Sequence, residues 1–384
     1  MKKVSIRQLD DPLLKSGELG EKIGRLRVLT HPHVPEVHDF GFYDRVYRWV
    51  ARHPLGDQMR RWIAVTEEGE VVGHLSALPQ YYRIGGRRIV AHTPGDYEVN
   101  PGYGFYALSL MRAFFRATEN CVACDILPAV ISVETRLGAE EVGRLDYTAK
   151  LLNVSKLPVP ALPGRLFSRR QEQEEPRAVR PRLSLPGPVQ GMLNGGLRAA
   201  DEALGGAFGR GPKAEVLEGF DEPFDALFET VAAAVSCTPE KDAAFLRWRY
   251  GPGSPQHPVT VLGVKGAGGE LLGYTVLKVT TGGIDGYVLD LTTRPGRRDV
   301  ARALLRGAVR FFRDAGTHLI RYRYKESPIS ARSGDLRLLG FFYRKSRRNS
   351  LLVGFADTRL HETARRFSNW AYTIGDGEPT FWMR

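Results

Sequence analysis

An α+β fold written twice is what this 384-residue sequence predicts. Three observations carry the prediction. Two near-identical strand texts, GEVVGHLS (69–76) and GELLGYTV (269–276), stand 200 positions apart. Each follows an amphipathic segment containing Arg-Trp, and each precedes a strand that stops at a proline before a helix. Between the copies lies SKLPVPALPGRLFSRRQEQEEPRAVRPRLSLPGP, whose Pro, Arg and Glu content cannot bury enough apolar surface to order itself.

In the first copy Phe42, Val46, Trp49 and Val50 mark one apolar face of a helix. RWIAVTEEGEVVGHLSALP then alternates apolar residues on both sides of a Glu67–Gly69 turn, a β-hairpin pattern. GDYEVNP (95–101) is a strand closed by Pro101, GFYALSLMRAFFRAT a helix, and TRLGAEEVGRLDYTAKLL a helix end passing through Leu-Gly into a second hairpin. The second copy repeats the order: Phe245, Leu246 and Trp248; the hairpin VTVLGVKGAGGELLGYTVLK; the strand YVLDLTTRP (287–295); the helix RDVARALLRGAVRFFRDAG; and the closing RLLGFFYRKSRRNSLLVGF. Corresponding landmarks keep offsets of 194 to 202 positions, which chance does not sustain. The expected organisation is a domain at 1–154, a Pro/Arg/Gly-rich linker at 155–215 with a weak helix in VQGMLNGGLRAADEALGGAF, and a domain at 216–384.

Composition narrows the class. With 42% hydrophobic and 26% charged residues the chain is long enough for two cores. No uncharged apolar run of about 18 residues occurs, and the opening MKKVSIRQLDDPLL turns acidic before a signal core could form, so a cytoplasmic protein without a transmembrane segment is expected. Three cysteines are too few for a disulfide framework. Cys121 and Cys124 form a CxxC with no second pair, which reads as buried small side chains, and His31–His33 reads as a turn; no metal is expected. The net charge of +12 favours anionic partners. The basic residues are scattered, with no zinc-finger, RNP or basic-zipper pattern, so no specific nucleic acid is expected.

A strand that ends at a turn and feeds a helix directs free N–H groups and the positive end of a helix dipole at one point, an anion site of the kind that holds diphosphates. The first copy offers VNPGYGFYALSLM (99–111) with Gly102 and Gly104, the second TRPGRRDVARALL (293–305) with Arg297, Arg298 and Arg302. Near the end of each strand stand carboxylates. Asp96 and Glu98 share one face of the first, and Asp290 occupies the equivalent stretch of the second.

The element order together with these residues resembles the GNAT (Gcn5-related N-acetyltransferase) superfamily, in particular the tandem proteins among bacterial polysaccharide-associated acetyltransferases. The resemblance covers about residues 36–154 and 216–384. Val99, Pro101 and Tyr103 match that superfamily's Val-x-Pro-x-Tyr segment. In the loop that follows, Gly104, Phe105, Ala107 and Ser109 stand where Arg, Gly, Gly and Gly/Ala are usual, and in the second copy Arg298 and Val300 replace glycines. The tail WAYTIGDGEPTFW (370–382) is similar to a terminal Trp-Tyr-x-Thr-x-Gly-Asp segment of the tandem proteins.

The resemblance implies two tandem GNAT-like domains, each a mixed, mostly antiparallel sheet flanked by helices, and an acyl-CoA-dependent N-acyltransferase moving acetyl from acetyl-CoA to a primary amine such as an amino sugar or polysaccharide precursor. It places the cofactor on Val99, Gly104, Phe105, Tyr106, Ala107, Leu108 and Ser109, or on Arg297, Arg298 and Arg302. Glu98, Asp96 and Asp290 become the candidate bases for the ammonium proton. The tyrosine general acid that such enzymes place one turn before the late Leu-Gly is replaced by Glu134 and Leu336. Two other readings stand beside this one: a FemAB-like aminoacyl transferase using aminoacyl-tRNA, and a degenerate tandem protein that binds without turnover.

Overall fold

The computed structural model describes residues 3–14, 17–32, 34–155, 186–207 and 211–383, with residues 205–207 described by their backbone alone. Most of the expected linker lies outside that set. The first copy contains β1 (Val4–Gln8), α1 (Gly17–Thr30), α2 (Phe40–Val50), β2 (Arg60–Thr66), β3 (Val71–Ile84), β4 (Arg87–Val99), α3 (Phe105–Ala117), β5 (Asn120–Asp125), α4 (Pro128–Arg136), β6 (Glu140–Arg144) and β7 (Asp146–Leu151). After α5 (Gly187–Ala207) come β8 (Glu215–Leu217), α6 (Glu222–Ala234), β9 (Cys237–Pro239), α7 (Ala243–Tyr250), β10 (Thr260–Lys265), β11 (Leu271–Val279), β12 (Asp285–Thr293), α8 (Arg298–Asp314), β13 (Leu319–Tyr324), α9 (Ser333–Leu338), β14 (Phe342–Tyr343), β15 (Ser350–Phe355) and α10 (Thr358–Ala364).

The repeated strand text has a physical cause in each copy. The β2–β3 turn closes with Gly69 N–H donating to Thr66 O (3.0 Å), and the β10–β11 turn closes with Gly269 N–H donating to Gly266 O (3.1 Å). Both glycines sit at positive φ, +81° and +83°, where a Cβ is strained. Four residues on, Gly73 and Gly273 let a helix approach the sheet. A Cβ on Gly73 would lie 2.8 Å from Leu110 of α3, and one on Gly273 would lie 2.9 Å from Val300 of α8. α3 thereby buries Leu110, Met111 and Phe114 against Trp62, Ala64, Val72 and Leu75. α8 buries Val300, Leu304, Leu305, Ala308 and Phe312 at helical spacing against the second sheet.

Among the described residues the strands form two mixed sheets, ordered β1-β2-β3-β4-β5-β15-β6 with β9 on the end of β3, and β14-β7-β13-β12-β11-β10-β8. Among the described strands β4–β5 and β12–β13 pair in parallel, the others antiparallel. The expected terminal hairpins do not form. Leu145 alone separates β6 from β7, and even the tightest common hairpin needs a two-residue loop. β7 instead crosses to β13, pairing from Asp146–Tyr324 to Leu151–Leu319, and β15 returns from the second copy to lie between β5 and β6. Each copy thus supplies a strand to the other's sheet.

A second junction uses the repeated Arg-Trp. Trp49 and Trp248 stack at 4.2 Å with planes 7° apart. Each indole N–H donates to the other's carbonyl, at 2.7 and 2.9 Å. α5 is tied down at Asp201, whose carboxylate takes the Lys150 ammonium at 2.6 Å and also pairs with Arg313.

Candidate active site

The parallel strands of each copy part towards their C-terminal ends. β4 and β5 share a single pair, His92 opposite Cys121. β12 and β13 stay paired as far as Val288 and Tyr322 and then separate. Beside each gap the antiparallel ladder is also irregular, with a register shift between His74 and Ser76 in the first copy and between Val276 and Leu277 in the second. At the first shift Asp96 adopts φ +51°.

The segment after α10 enters both gaps, to different depths. In the second copy its backbone fills the space: Lys325 N–H donates to Tyr372 O (2.7 Å), Tyr324 bridges to Thr373, and a Cβ on Gly375 would lie 2.5 Å from Leu289 O. In the first copy the entrants are Gly377, whose Cβ would lie 3.3 Å from the Cys124 Cβ, and Glu378, whose Oε1 accepts from Asp96 N–H at 3.3 Å. Trp382 donates its indole N–H to Glu378 and stacks on Tyr43 at 5.0 Å.

Of the three candidate bases, Asp96 and Asp290 are committed elsewhere. Asp96 is buried and receives two Arg27 N–H bonds, the Tyr47 hydroxyl (2.7 Å) and contact with His74 Nδ1 (3.2 Å). Burial alone would raise this carboxyl, and Arg27 and His74 outweigh it, holding it well below the usual carboxylate range. An acid that strong is a poor acceptor for an ammonium proton, and its contacts tie Arg27 of α1 and Tyr47 of α2 to β4. Asp290 is buried with Lys241 at 3.0 Å, the Tyr274 hydroxyl at 2.9 Å and the Thr292 hydroxyl at 2.9 Å, behind the inserted tail. Lys241 also holds Asp376 at 2.9 Å. Those contacts leave Asp290 no open approach for an amine.

Glu98 is placed differently. It faces α1, takes a hydrogen bond from the Thr30 hydroxyl and lies 3.2 Å from His31 Nε2, whose side chain is 45% exposed. His31 therefore does more than fill a turn; His33 lies outside the described residues. Nothing in the sequence pairs α1 with β4, so the Thr30–His31–Glu98 group was not legible before the fold.

The two helix N-termini also diverge. α3 starts at Gly104 after a turn in which Gly102 N–H donates to Asn100 Oδ1 (3.0 Å) and Tyr103 N–H to Asn100 O (2.7 Å). Ala107 N–H is engaged by Gly104 O (3.2 Å). The first turn of α3 carries no acidic residue, and Phe105 is 74% exposed. Tyr106, Leu108 and Ser109 are half-buried behind it, while Val99 pairs with Gly73.

At α8 the turn is closed. Gly296 N–H donates to Pro328 O (2.9 Å), and Asp299 in the first turn accepts from the Val300 N–H and pairs with Arg297 at 2.7 Å. Arg298 and Arg302 clasp the buried Asp335 at 3.0 and 2.6 Å. These three arginines, expected to face an anion, spend their donors on carboxylates of this chain.

Cys121, Cys124 and Cys237 are buried free thiols. Among the described residues no cluster of His, Cys, Asp and Glu is placed to hold a metal ion, and no helix is long and apolar enough to cross a membrane.

No family model matches the chain, and no curated protein matches it by sequence. Solved structures do match. A tandem GNAT protein from the clavulanic acid biosynthesis pathway superposes with a TM-score of 0.51 at 15% identity, over 92% of this chain and 99% of that one. A GCN5-related N-acetyltransferase from Anabaena variabilis gives 0.52 at 13%, over 93% and 74%. N-myristoyltransferase of Saccharomyces cerevisiae with bound myristoyl-CoA gives 0.54 at 13%, over 91% and 78%. At such identities the likeness is one of architecture. With its two mixed sheets, each holding one parallel pair, the chain has the tandem GCN5-related N-acetyltransferase fold.

Proposed function

We propose that the chain is an acyl-CoA-dependent N-acyltransferase in which the first copy carries the reaction and the second is structural. The observation that carries this reading is the contrast between the two strand carboxylates: Glu98 lies 3.2 Å from the half-exposed His31, whereas Asp290 is buried with Lys241 behind the tail.

In this reading the pyrophosphate of the cosubstrate lies on the exposed start of α3, around Gly104–Ser109, where the helix dipole favours an anion and no acidic side chain competes. The thioester arm runs past Tyr103, Tyr106, Val130 and Ile131, the half-buried apolar residues between α3 and α4. A strand amide at the register shift supports the oxyanion. The amine approaches from the α1 side, where Glu98 takes the ammonium proton and the exposed His31 passes it to water. The acceptor is a small primary amine, with amino sugars of polysaccharide precursors the first class to assay. The N-acyl transfer named for the comparison proteins and the myristoyl-CoA bound in one of them support the reading.

Thermal-shift and calorimetric titration with acetyl-CoA, CoA and uncharged tRNA, followed by thiol release over a panel of amino sugars, amino acids and polyamines, tests it. Stabilisation by acetyl-CoA and amine-dependent thiol release are expected. Stabilisation by tRNA alone favours the aminoacyl-transferase reading, and binding of acetyl-CoA without turnover on any amine favours a binding protein.

A further inference from the structure

The stretch between the two copies contributes α5, and this helix walls a cavity against the second copy. The cavity measures about 600 Å³ and lies between α5, the segment 211–214 and the face of α8 opposite Leu304, Ala308 and Phe312. That size falls in the range of sites for small organic ligands. None of its lining residues belongs to β4 or α3, and the acyl-transfer reading makes no use of it.

Helical period builds a basic wall there. While Val300, Leu304, Ala308 and Phe312 pack into the sheet, Arg302, Arg306 and Arg310 recur every four residues on the other side of α8, with Arg313 beside them. Arg302 is taken by Asp335 and Arg313 by Asp201. On α5, Arg198 pairs with Glu202 at 3.5 Å. Among the described residues neither Arg310 nor Lys213 has an ion-pair partner, and both are exposed.

The charges do not balance. Five basic side chains line the cavity, from Arg198, Lys213, Arg306, Arg310 and Arg313, against the three acids Asp201, Glu202 and Asp314, and Lys150 adds a further cation on Asp201. The lining carries a surplus of two positive charges. Arg306 sits half-buried within the row, where burial first, then the like charges of Arg302 and Arg310, lower its guanidinium from the ordinary value. An anion set among these cations gains from all of them at once.

We propose that this cavity binds a small phosphorylated molecule, a phosphate ester of no more than nucleotide size. A phosphomonoester carries about −1.5 to −2 charges at neutral pH, which matches the surplus. Its oxygens accept the forked N–H donors of Arg306 and Arg310, and the Lys213 ammonium acts as a point charge. Leu204, Val309 and Leu339 give the body of the molecule an apolar wall. A concave site enclosed by three segments suits a discrete molecule; a membrane or a long polymer needs an open surface.

Calorimetric titration of the full chain at low salt with AMP, glycerol phosphate and inorganic phosphate tests the proposal. AMP or glycerol phosphate should bind at one site per chain and more tightly than inorganic phosphate. Arg310→Ser and Lys213→Ser, both exposed positions where the fold is insensitive, should each weaken binding by about tenfold. Lys345→Ser removes the same charge from an exposed position outside the cavity and should change affinity by less than about twofold. Binding should weaken below about pH 6, where a monoester gives up its second charge. Phe105→Asp should leave AMP binding unaltered, which separates this cavity from the start of α3. Because no acyl-CoA is present, this proposal and the acyl-transfer reading stand or fall separately. Absence of binding by every probe up to about 1 mM overturns the proposal. So do equal losses in Lys345→Ser and Arg310→Ser, a loss confined to Phe105→Asp, or tighter binding of a heparin oligosaccharide or of vesicles containing phosphatidylserine than of any phosphate ester.

Discussion

Asp96 and Asp290 occupy matching places on β4 and β12 and meet matching partners, yet the space beyond them is used in opposite ways. Each contacts a ring from the neighbouring strand, His74 or Tyr274, one residue after the glycine that admits the helix. Each neutralises a buried cation, Arg27 or Lys241. In the second copy a further carboxylate, Asp376, brings the tail onto Lys241 and the gap closes. In the first copy the cation comes from α1, the tail brings Gly377 and Glu378 against β5 and β4, and the next residue on the same strand face, Glu98, reaches the half-exposed His31. Duplication preserved the anchoring aspartate in both copies and put an accessible carboxylate–histidine pair beside it in one.

Breaking the anchor of the sealed copy should have the largest effect. Lys241→Met leaves Asp290 and Asp376 buried together without a cation, at a cost of about 3–5 kcal/mol read from denaturant unfolding. Turnover per folded molecule should be unchanged. A parallel loss of kcat/KM in the folded fraction would show that the second copy takes part in the reaction.

Next in size, Glu98→Gln should lower kcat/KM by about a hundredfold, some 2.7 kcal/mol, with little change in acetyl-CoA affinity and loss of the acid limb of the pH profile. Asp290→Asn should not lower it. Equal effects at the two positions would erase the contrast between the copies.

Phe105→Asp converts the start of α3 into a likeness of α8, with an acid in the first turn as at Asp299. The exposed position and the helix dipole make the change harmless to the fold. Acetyl-CoA affinity should fall about tenfold, the order of one charge-assisted interaction, and more steeply at low salt. Asp299→Asn should leave it unaltered; the reverse pattern would move the cosubstrate to the second copy.

The smallest effect concerns pH. Burial first, then the charges of Asp125 and Asp96, raise the Glu378 carboxyl from its ordinary 4.5 to about 8. The folded state therefore holds this proton more tightly than the unfolded chain. Stability should fall as pH rises from about 4.5 to about 8 and level off above it. Melting at pH 9 should lie about 3 °C or more below that at pH 6, and Glu378→Gln should flatten this difference. A melting temperature that rises over the same interval would contradict the assignment.

Much of the fold was legible because it rests on local rules. The Glu67–Gly69 and Gly266–Gly269 turns announce hairpins, the spacing of Val300, Leu304, Ala308 and Phe312 announces a helix, and Gly73 and Gly273 repeat because each lies under a helix. Of the site proposed above, part is visible in the sequence. Glu98 and the loop from Gly104 could be picked out from their places in the strand, turn and helix order, whereas Arg27, His31 and Glu378 lie on segments whose sequences say nothing of β4.

By itself the sequence determined the duplication, the α+β element order and the strand-to-helix turns at Pro101 and Pro295, since these follow from side-chain period and backbone preference within short windows. Only the tertiary structure decided that β7 and β15 change sheets, that the arginines of α8 are spent on Asp299 and Asp335, and that the tail closes one gap and enters the other with Glu378. Pairing, burial and charge compensation are relations between distant segments, and no local window contains them.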